Sequence, residues 1–235
     1  MTTIDIIVLA GGMGTRLKSV IDDIPKPMAP IGNIPFLTYL LRSMNAPFIN
    51  KIIFSTGYRS EVIEQYFKEE FDGLHLEYAR EEEPLGTGGA IKMALSHTET
   101  ETVMVLNGDT MFNINYEALL SFHRNRGADI SIAMRKVENE SRYGAMYIDE
   151  DGRVTEFAEK AYIDSGYING GIYLINKDLF TTLTLPEKFS LEHDLFAKHL
   201  VDLEIYGLPF DSSYFIDIGI PEDYERACKE LPELF

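Results

Sequence analysis

Short runs rich in β-branched residues alternate with segments of helical spacing along the first part of the chain. Residues 4–9, 51–56, 74–79, 102–106 and 129–134 read as buried strands. Residues 35–44, 60–71, 88–96 and 116–125 read as helices; in the second, Val62, Ile63, Tyr66, Phe67 and Phe71 fall on one face. Strand–helix–strand alternation predicts a mostly parallel, doubly wound sheet. The later part breaks this rhythm. Residues 145–148 and 153–157 flank Asp149-Glu150-Asp151-Gly152, a hairpin signal, and 168–175 reads as another strand. Helices are expected at 190–200 and 221–231, the latter opening with Pro221 and acidic residues. The second half is therefore expected to form a hairpin-containing lid beside the first sheet.

A length of 235 residues suits one large α/β domain, and 45% apolar with 25% charged residues is an ordinary globular balance. No run approaches the length of a membrane helix, and the first residues lack the basic and apolar blocks of a signal peptide. The single cysteine, Cys228, excludes an internal disulfide and fits a reducing compartment, so a cytoplasmic location is expected. A net charge of −17 argues against nucleic acid and anionic membrane as partners. It does not exclude a small anion, and Arg16, Lys18 and Lys26 follow closely on a cluster of glycines.

Those glycines end the first strand, in Leu9-Ala10-Gly11-Gly12-Met13-Gly14-Thr15-Arg16-Leu17. Successive backbone N–H groups there, with a helix N-terminus behind them, would make an anion site. The dinucleotide fingerprint fails, because Leu17 stands where the third glycine belongs, and the P-loop spacing is absent. Alone, the segment also reads as a tight turn made for geometry.

Followed by Pro25-Lys26-Pro27-Met28, the loop resembles the signature of the sugar-1-phosphate nucleotidylyltransferases. Glu83-Pro84-Leu85-Gly86-Thr87-Gly88-Gly89-Ala90 is similar to that family's base-and-ribose loop, and Asn107-Gly108-Asp109 to its metal-binding strand end. Phe157-Ala158-Glu159-Lys160 resembles its F-x-E-K, and Asn169-Gly170-Gly171-Ile172-Tyr173 its N-x-G-x-Y. Asp217-Ile218-Gly219-Ile220-Pro221-Glu222-Asp223 resembles D-x-G-T-P-E-D, with Ile220 in place of threonine. The motifs occur in family order over nearly the whole chain. The resemblance implies a Rossmann-like α/β fold of the nucleotidyltransferase or GT-A type, with a mixed, mostly parallel sheet between helices. It implies one domain, residues 1–112 mainly for nucleotide and 113–235 mainly for sugar phosphate. No extension carrying a second activity is expected after the last motif.

The implied reaction is attack by a sugar 1-phosphate oxygen on the α-phosphorus of a nucleoside triphosphate, releasing pyrophosphate. Catalytic roles then fall to Arg16 on the β- and γ-phosphates, Lys26 on the α-phosphate and Asp109. Leu9, Ala10, Gly11, Gly12, Gly14, Thr15, Glu81, Pro84, Gly86 and Thr87 would bind nucleotide. Gly144, Glu159, Lys160, Asn169 and Gly170 would bind the sugar phosphate. Asp109 and Asp217 are hard oxygen ligands suited to Mg2+. Tyr143 and Tyr173 read as packing residues, and the five histidines as surface or structural groups.

Uracil and thymine place a donor between two acceptors, which an amide side chain matches. Guanine places two donors side by side, which a carboxylate accepts. Glu81 therefore favours GTP, unless Glu81-Glu82-Glu83 is only a solvated loop. The wording around Lys26, at 185–190 and at 215–224 is similar to the branch of the family that guanylylates D-glycero-α-D-manno-heptose 1-phosphate. A uridylyl- or cytidylyltransferase for another sugar phosphate is the sibling alternative. A silent nucleotide-sugar-binding regulatory subunit is the alternative of another class; such copies usually lose the arginine, lysines or aspartates that are present here. The sequence leaves the oligomeric state open, a homo-oligomer included.

Overall fold

A computed structural model describes residues 3–12, 24–44, 47–160 and 162–234. Strand β1 (Ile4–Leu9) lies at the centre of the main sheet. It pairs in parallel with β4 (Ile49–Thr56) on one edge and β7 (Thr102–Asn107) on the other, and β6 (Leu74–Arg80) continues in parallel beyond β4. Two short strands, β2 (Pro30–Ile31) and β3 (Ile34–Pro35), pair with each other. A further pair joins β5 (Glu70–Phe71) to β6.

The chain runs outward from β1 through β4 to β6 and then returns to the other side of β1 with β7. Strand order thus reverses at β1, and the crevice beyond the carboxyl ends of β1 and β7 is where open α/β sheets bind ligands. The expected strands are found, with ends moved by one or two residues at most in this half. They read as continuous apolar runs because both faces are covered. Ile6 and Val8 pack with α1 (Phe36–Ser43), α2 (Ser60–Phe67), α4 (Tyr116–Arg126) and α6 (Pro221–Leu234). Ile7 packs on the opposite face with α3 (Gly86–Ala94) and a π-helical segment, Leu191–Ala197.

The helix expected to reach Phe71 stops at Phe67. Lys68 has φ 55°, and Asp72 and Gly73 have φ 49° and 82°. Positive φ at both central residues builds the tight turn of the β5–β6 hairpin. Phe71 still meets Phe67 edge-on at 5.2 Å, so its apolar contact survives the change of element.

In the second half, β8 (Thr110–Phe112) leaves the main sheet. Then β9 (Ile130–Glu140), β10 (Gly144–Ile148), β11 (Val154–Lys160) and β12 (Ile163–Asn176) build an antiparallel extension, with β12 paired to β7. A short helix α5 (Leu179–Thr182) follows; β13 (Ile205–Pro209) then adds in parallel to β9, and β14 (Phe215–Asp217) pairs with β8. The hairpin expected around Asp149–Gly152 is β10–β11. It is hydrogen-bonded into the main sheet through β12, not set beside it as a separate lid. Among the described residues no helix is long and apolar enough to cross a membrane.

The amino ends of the central strands are tied by Asp5, which is fully buried. Its carboxylate accepts from the Glu99 and Thr100 amides leading into β7 and from Asn50 Nδ2 at the start of β4. Asp5→Ala would remove the acceptor of both amides and of Asn50 Nδ2 from the buried end of β1. It is expected to destabilise the protein by about 3 kcal/mol in urea unfolding, without altering residues at the opposite end of the strands.

Candidate active site

The crevice holds a cavity of about 430 Å³. Leu9, Gly11, Gly12, Glu81, Pro84, Gly86 and Thr87 line it, with Lys26 and Asp109 facing them. Most of the described residues expected to bind nucleotide thus come together, and Lys26 and Asp109, 83 positions apart and expected to be catalytic, join them. The wall also includes Pro27, Ala90, Asn107 and Gly219, which sequence reasoning did not single out. All four lie inside the family-like motifs, so their place there was the available signal. Gly14, Thr15 and Arg16 lie outside the described residues.

Each arm of the site has a local cause. Strand β1 ends at Leu9, whose carbonyl accepts from Gly108 N at 2.9 Å, so the two strand ends are stitched together beneath the cavity. The Ala10 amide donates to Ser55 O at 2.8 Å and is buried. Ala10 therefore continues the ladder and is not among the residues that line the cavity. Gly11 packs against Glu81: a Cβ there would lie 2.7 Å from Oε1, so a larger residue would make that side chain shift.

Glu81 is half-buried, with its amide on Thr56 O and its Oε2 accepting from Leu85 N at 2.9 Å. It is not a solvated loop residue, whereas Glu82 and Glu83 are exposed. Burial pushes its carboxyl above the ordinary range, against the opposing effect of the Leu85 amide. A second cavity, about 700 Å³, shares Gly11, Glu81 and Pro84 and adds Gly57, Tyr58 and Arg80. At the start of α3, Gly88 N and Gly89 N donate to Phe189 O, and Thr87 Oγ1 accepts from Leu191 N. Two first-turn amides of that helix are thus engaged by the segment before the π-helical turn.

The acidic pair is assembled by the β8–β14 ribbon. Asp109 directly precedes β8 and Asp217 ends β14 opposite Thr110. Lys26, in the turn Lys26–Met28 held by buried Pro27 and Met28, places Nζ 2.6 Å from Asp109 Oδ2 and 3.2 Å from Asp217 Oδ1. Gly219 N donates to Asp217 Oδ1, and Tyr143 OH donates to Asp217 Oδ2 at 3.4 Å. Burial and then the Asp217 carboxylate push the Tyr143 phenol upward, which keeps it a donor. Tyr143 is thus more than the packing residue expected. Tyr173 is a core residue, 2% exposed.

The donor set of Asp109 and Asp217 fits a hard divalent cation that takes its remaining ligands from phosphate and water. Among the described residues no group of three or more His, Cys, Asp or Glu is placed to hold a metal by itself.

The expected sugar-side residues lie outside the first cavity's wall. Gly144 opens β10 opposite Lys160 on β11, where Glu159 and Lys160 are exposed. Asn169 is half-buried on β12 beside buried Gly170. Its amide donates to Tyr173 OH and Glu192 Oε1, and its carbonyl accepts from Gly171 N, so it braces the irregularity in β12.

Residues 5–233 match a family model described as nucleotidyl transferase. The chain is 46% identical to the D-glycero-alpha-D-manno-heptose 1-phosphate guanylyltransferase of Aneurinibacillus thermoaerophilus, covering 96% of this chain and 97% of that protein. It is 46% identical to the protein of the same name from Campylobacter jejuni, covering 93% and 96%. The crystal structure of HddC from Yersinia pseudotuberculosis complexed with GMP-PN superposes with a TM-score of 0.85, at 36% identity, over 97% of this chain and 99% of that one. Family model, full-length relatives and fold agree with the geometry of the crevice, and the chain belongs to the nucleotidyl transferase family.

Proposed function

We propose that this protein transfers GMP from GTP to D-glycero-α-D-manno-heptose 1-phosphate, giving GDP-heptose and pyrophosphate. The observation that carries the reading is the wall that joins the glycine turn, Glu81, Lys26 and Asp109 in one crevice, in a chain 46% identical to guanylyltransferases of that heptose phosphate over nearly its whole length. The first half would hold the nucleotide and the second the sugar phosphate. The single cysteine supports action in the reducing cytoplasm.

In this reading the sugar phosphate oxygen attacks the α-phosphorus in line with the bond to the β-phosphate, which breaks as pyrophosphate leaves. The nucleophile is already ionised, so no general base is required. The barrier is one of charge and position. Gly11 and Gly12 let the main chain approach the triphosphate. Lys26 contacts the α-phosphate as a mobile point charge, and Arg16 would steady the leaving pyrophosphate through its planar fork. Asp109 and Asp217 would hold Mg2+, which supplies charge neutralisation across the phosphates. Glu159, Lys160, Gly144, Asn169 and Gly170 would receive the sugar phosphate from β10, β11 and β12.

Glu81 is the base reader in this scheme. Burial disfavours its ionised form, and the adjacent N1–H and N2 amino donors of guanine would repay that cost on binding. Gly11 leaves room beside Oε1, where a Cβ would lie 2.7 Å away.

Pyrophosphate release should be confined to GTP with the manno-heptose phosphate, in a panel of ATP, GTP, CTP and UTP against heptose, mannose and glucose 1-phosphates with Mg2+. Release with UTP or CTP instead would overturn the reading of Glu81 and keep the phosphate chemistry. Absence of release from every pair would favour the silent subunit.

Asp109→Asn should abolish turnover while circular dichroism stays that of the wild type. Retained activity would remove Asp109 from the metal-holding pair.

Glu81→Gln should be more stable than wild type near neutral pH. The sign follows from burial: the raised folded-state pKa means the ionised carboxyl costs stability as pH rises through that value, and the amide escapes the cost. The advantage should fade as pH falls below the ordinary carboxylate pKa, about 4.3, in thermal unfolding at the two ends of that range.

A further inference from the structure

Every carboxylate oxygen of Asp109 and Asp217 already has a donor. Asp109 Oδ2 accepts from Lys26 Nζ at 2.6 Å and its Oδ1 from Thr110 Oγ1 at 3.3 Å. Asp217 Oδ1 accepts from Lys26 Nζ at 3.2 Å and Gly219 N at 2.8 Å, and its Oδ2 from Tyr143 OH. The Lys26 side chain is only 9% exposed. A Cβ at position 219 would lie 3.0 Å from Nζ and 2.9 Å from Asp217 Oδ1, so the main chain closes directly over the ion pair.

Mg2+ lies about 2.0–2.1 Å from each oxygen ligand. An ion bound to both Asp109 Oδ2 and Asp217 Oδ1 would compete with the ammonium for the two oxygens that hold it, and two cations that close repel.

We propose that Lys26 is the resident occupant of the metal position. In the nucleotide-free protein its ammonium stands between Asp109 and Asp217. The divalent cation is admitted only when nucleotide phosphates draw the ammonium away. The inference rests on the reading of Asp109 and Asp217 as the metal-holding pair.

The side chain suits the part. A lysine ammonium is a compact charge on a flexible stem, so it can exchange carboxylate for phosphate without main-chain movement. Its stem leaves a turn whose backbone is fixed by Pro25 and Pro27. Without the ammonium, two carboxylates would face each other with no cation of the described residues between them, a costly arrangement for partly buried charges. Metal and nucleotide would therefore bind with reciprocal positive coupling, each raising the other's affinity by the same factor. The protein alone would not gather metal, and the cation would enter with the triphosphate.

The test is Mn2+ binding to the full-length protein, read by electron paramagnetic resonance, with and without GTP and in the absence of any sugar phosphate. Wild type should bind Mn2+ weakly alone. Lys26→Gln should bind Mn2+ alone roughly tenfold more tightly or better, the scale of coupling between close charge pairs. The gain should vanish on an Asp109→Asn background, and Lys92→Gln, which removes an equal charge elsewhere, should show none. Unchanged or weaker affinity in Lys26→Gln, or an equal gain in Lys92→Gln, would overturn the inference while leaving the metal-holding pair intact.

Asp109→Asn binding Mn2+ with GTP as wild type does would instead sink the metal-holding pair, and this inference with it. A measurement on wild type alone guards against a variant that does not fold. Mn2+ should leave Tm unchanged without GTP and raise it further with GTP than GTP does alone. An equal rise without GTP overturns the proposal.

Discussion

The parallel pairing of β1 with β4 on one edge and β7 on the other is the constraint on which the rest of the molecule depends. It makes β1 the strand from which the chain departs in both directions, and so opens a crevice at its carboxyl end. The Gly108–Leu9 hydrogen bond sets the floor of that crevice. At the other end of the same strands, the buried Asp5 carboxylate ties β1 to β4 and to the approach of β7. The central sheet is thus anchored at one end and left open at the other, where backbone groups can meet a ligand.

Charge at the open end has to be managed in a protein of net charge −17 that is proposed to bind polyanions. Two carboxylates are brought together by a ribbon of only three residues per strand, and one ammonium joins them. That grouping cannot be judged from net charge, because local fields follow the nearest few groups. The same lysine that bridges the aspartates lines the crevice, where it can move onto a phosphate.

A second contact links the nucleotide arms to each other. Gly11 lies against the Glu81 carboxylate, while Glu81 holds Leu85 N and so shapes the loop into α3. That loop is held in turn by Phe189 O and Leu191 N, from the chain's second half. Base loop, glycine turn and π-helical segment are therefore one mechanical unit. A displaced Glu81 would be felt at Gly11, in the phosphate turn, as well as at the base.

The order of strands and helices in the first half was legible in the chain itself, because strands covered on both faces read as unbroken apolar runs and helices as amphipathic ones. The end of β1, Asp109 just past β7, and the acidic opening of α6 follow from local signals. Strands β8, β13 and β14 were not legible. They are short, β13 carries Gly207 and Pro209, and each is a strand only because a distant partner supplies its hydrogen bonds. The polar parts of β9 and β12 were missed for the same reason: residues 135–140 and 163–167 stabilise one another across the ladder and have no apolar period of their own.

Among the candidate site residues, Lys26, Asp109 and Glu81 were identifiable by type and motif, and their residue types limited what they could do. Only the tertiary structure decided that Ala10 spends its amide on Ser55, that Tyr143 reaches Asp217, and that Lys26 stands between two aspartates 108 positions apart in the chain. Chemical capacity is carried by each side chain, whereas its partner and its burial depend on which strands pair.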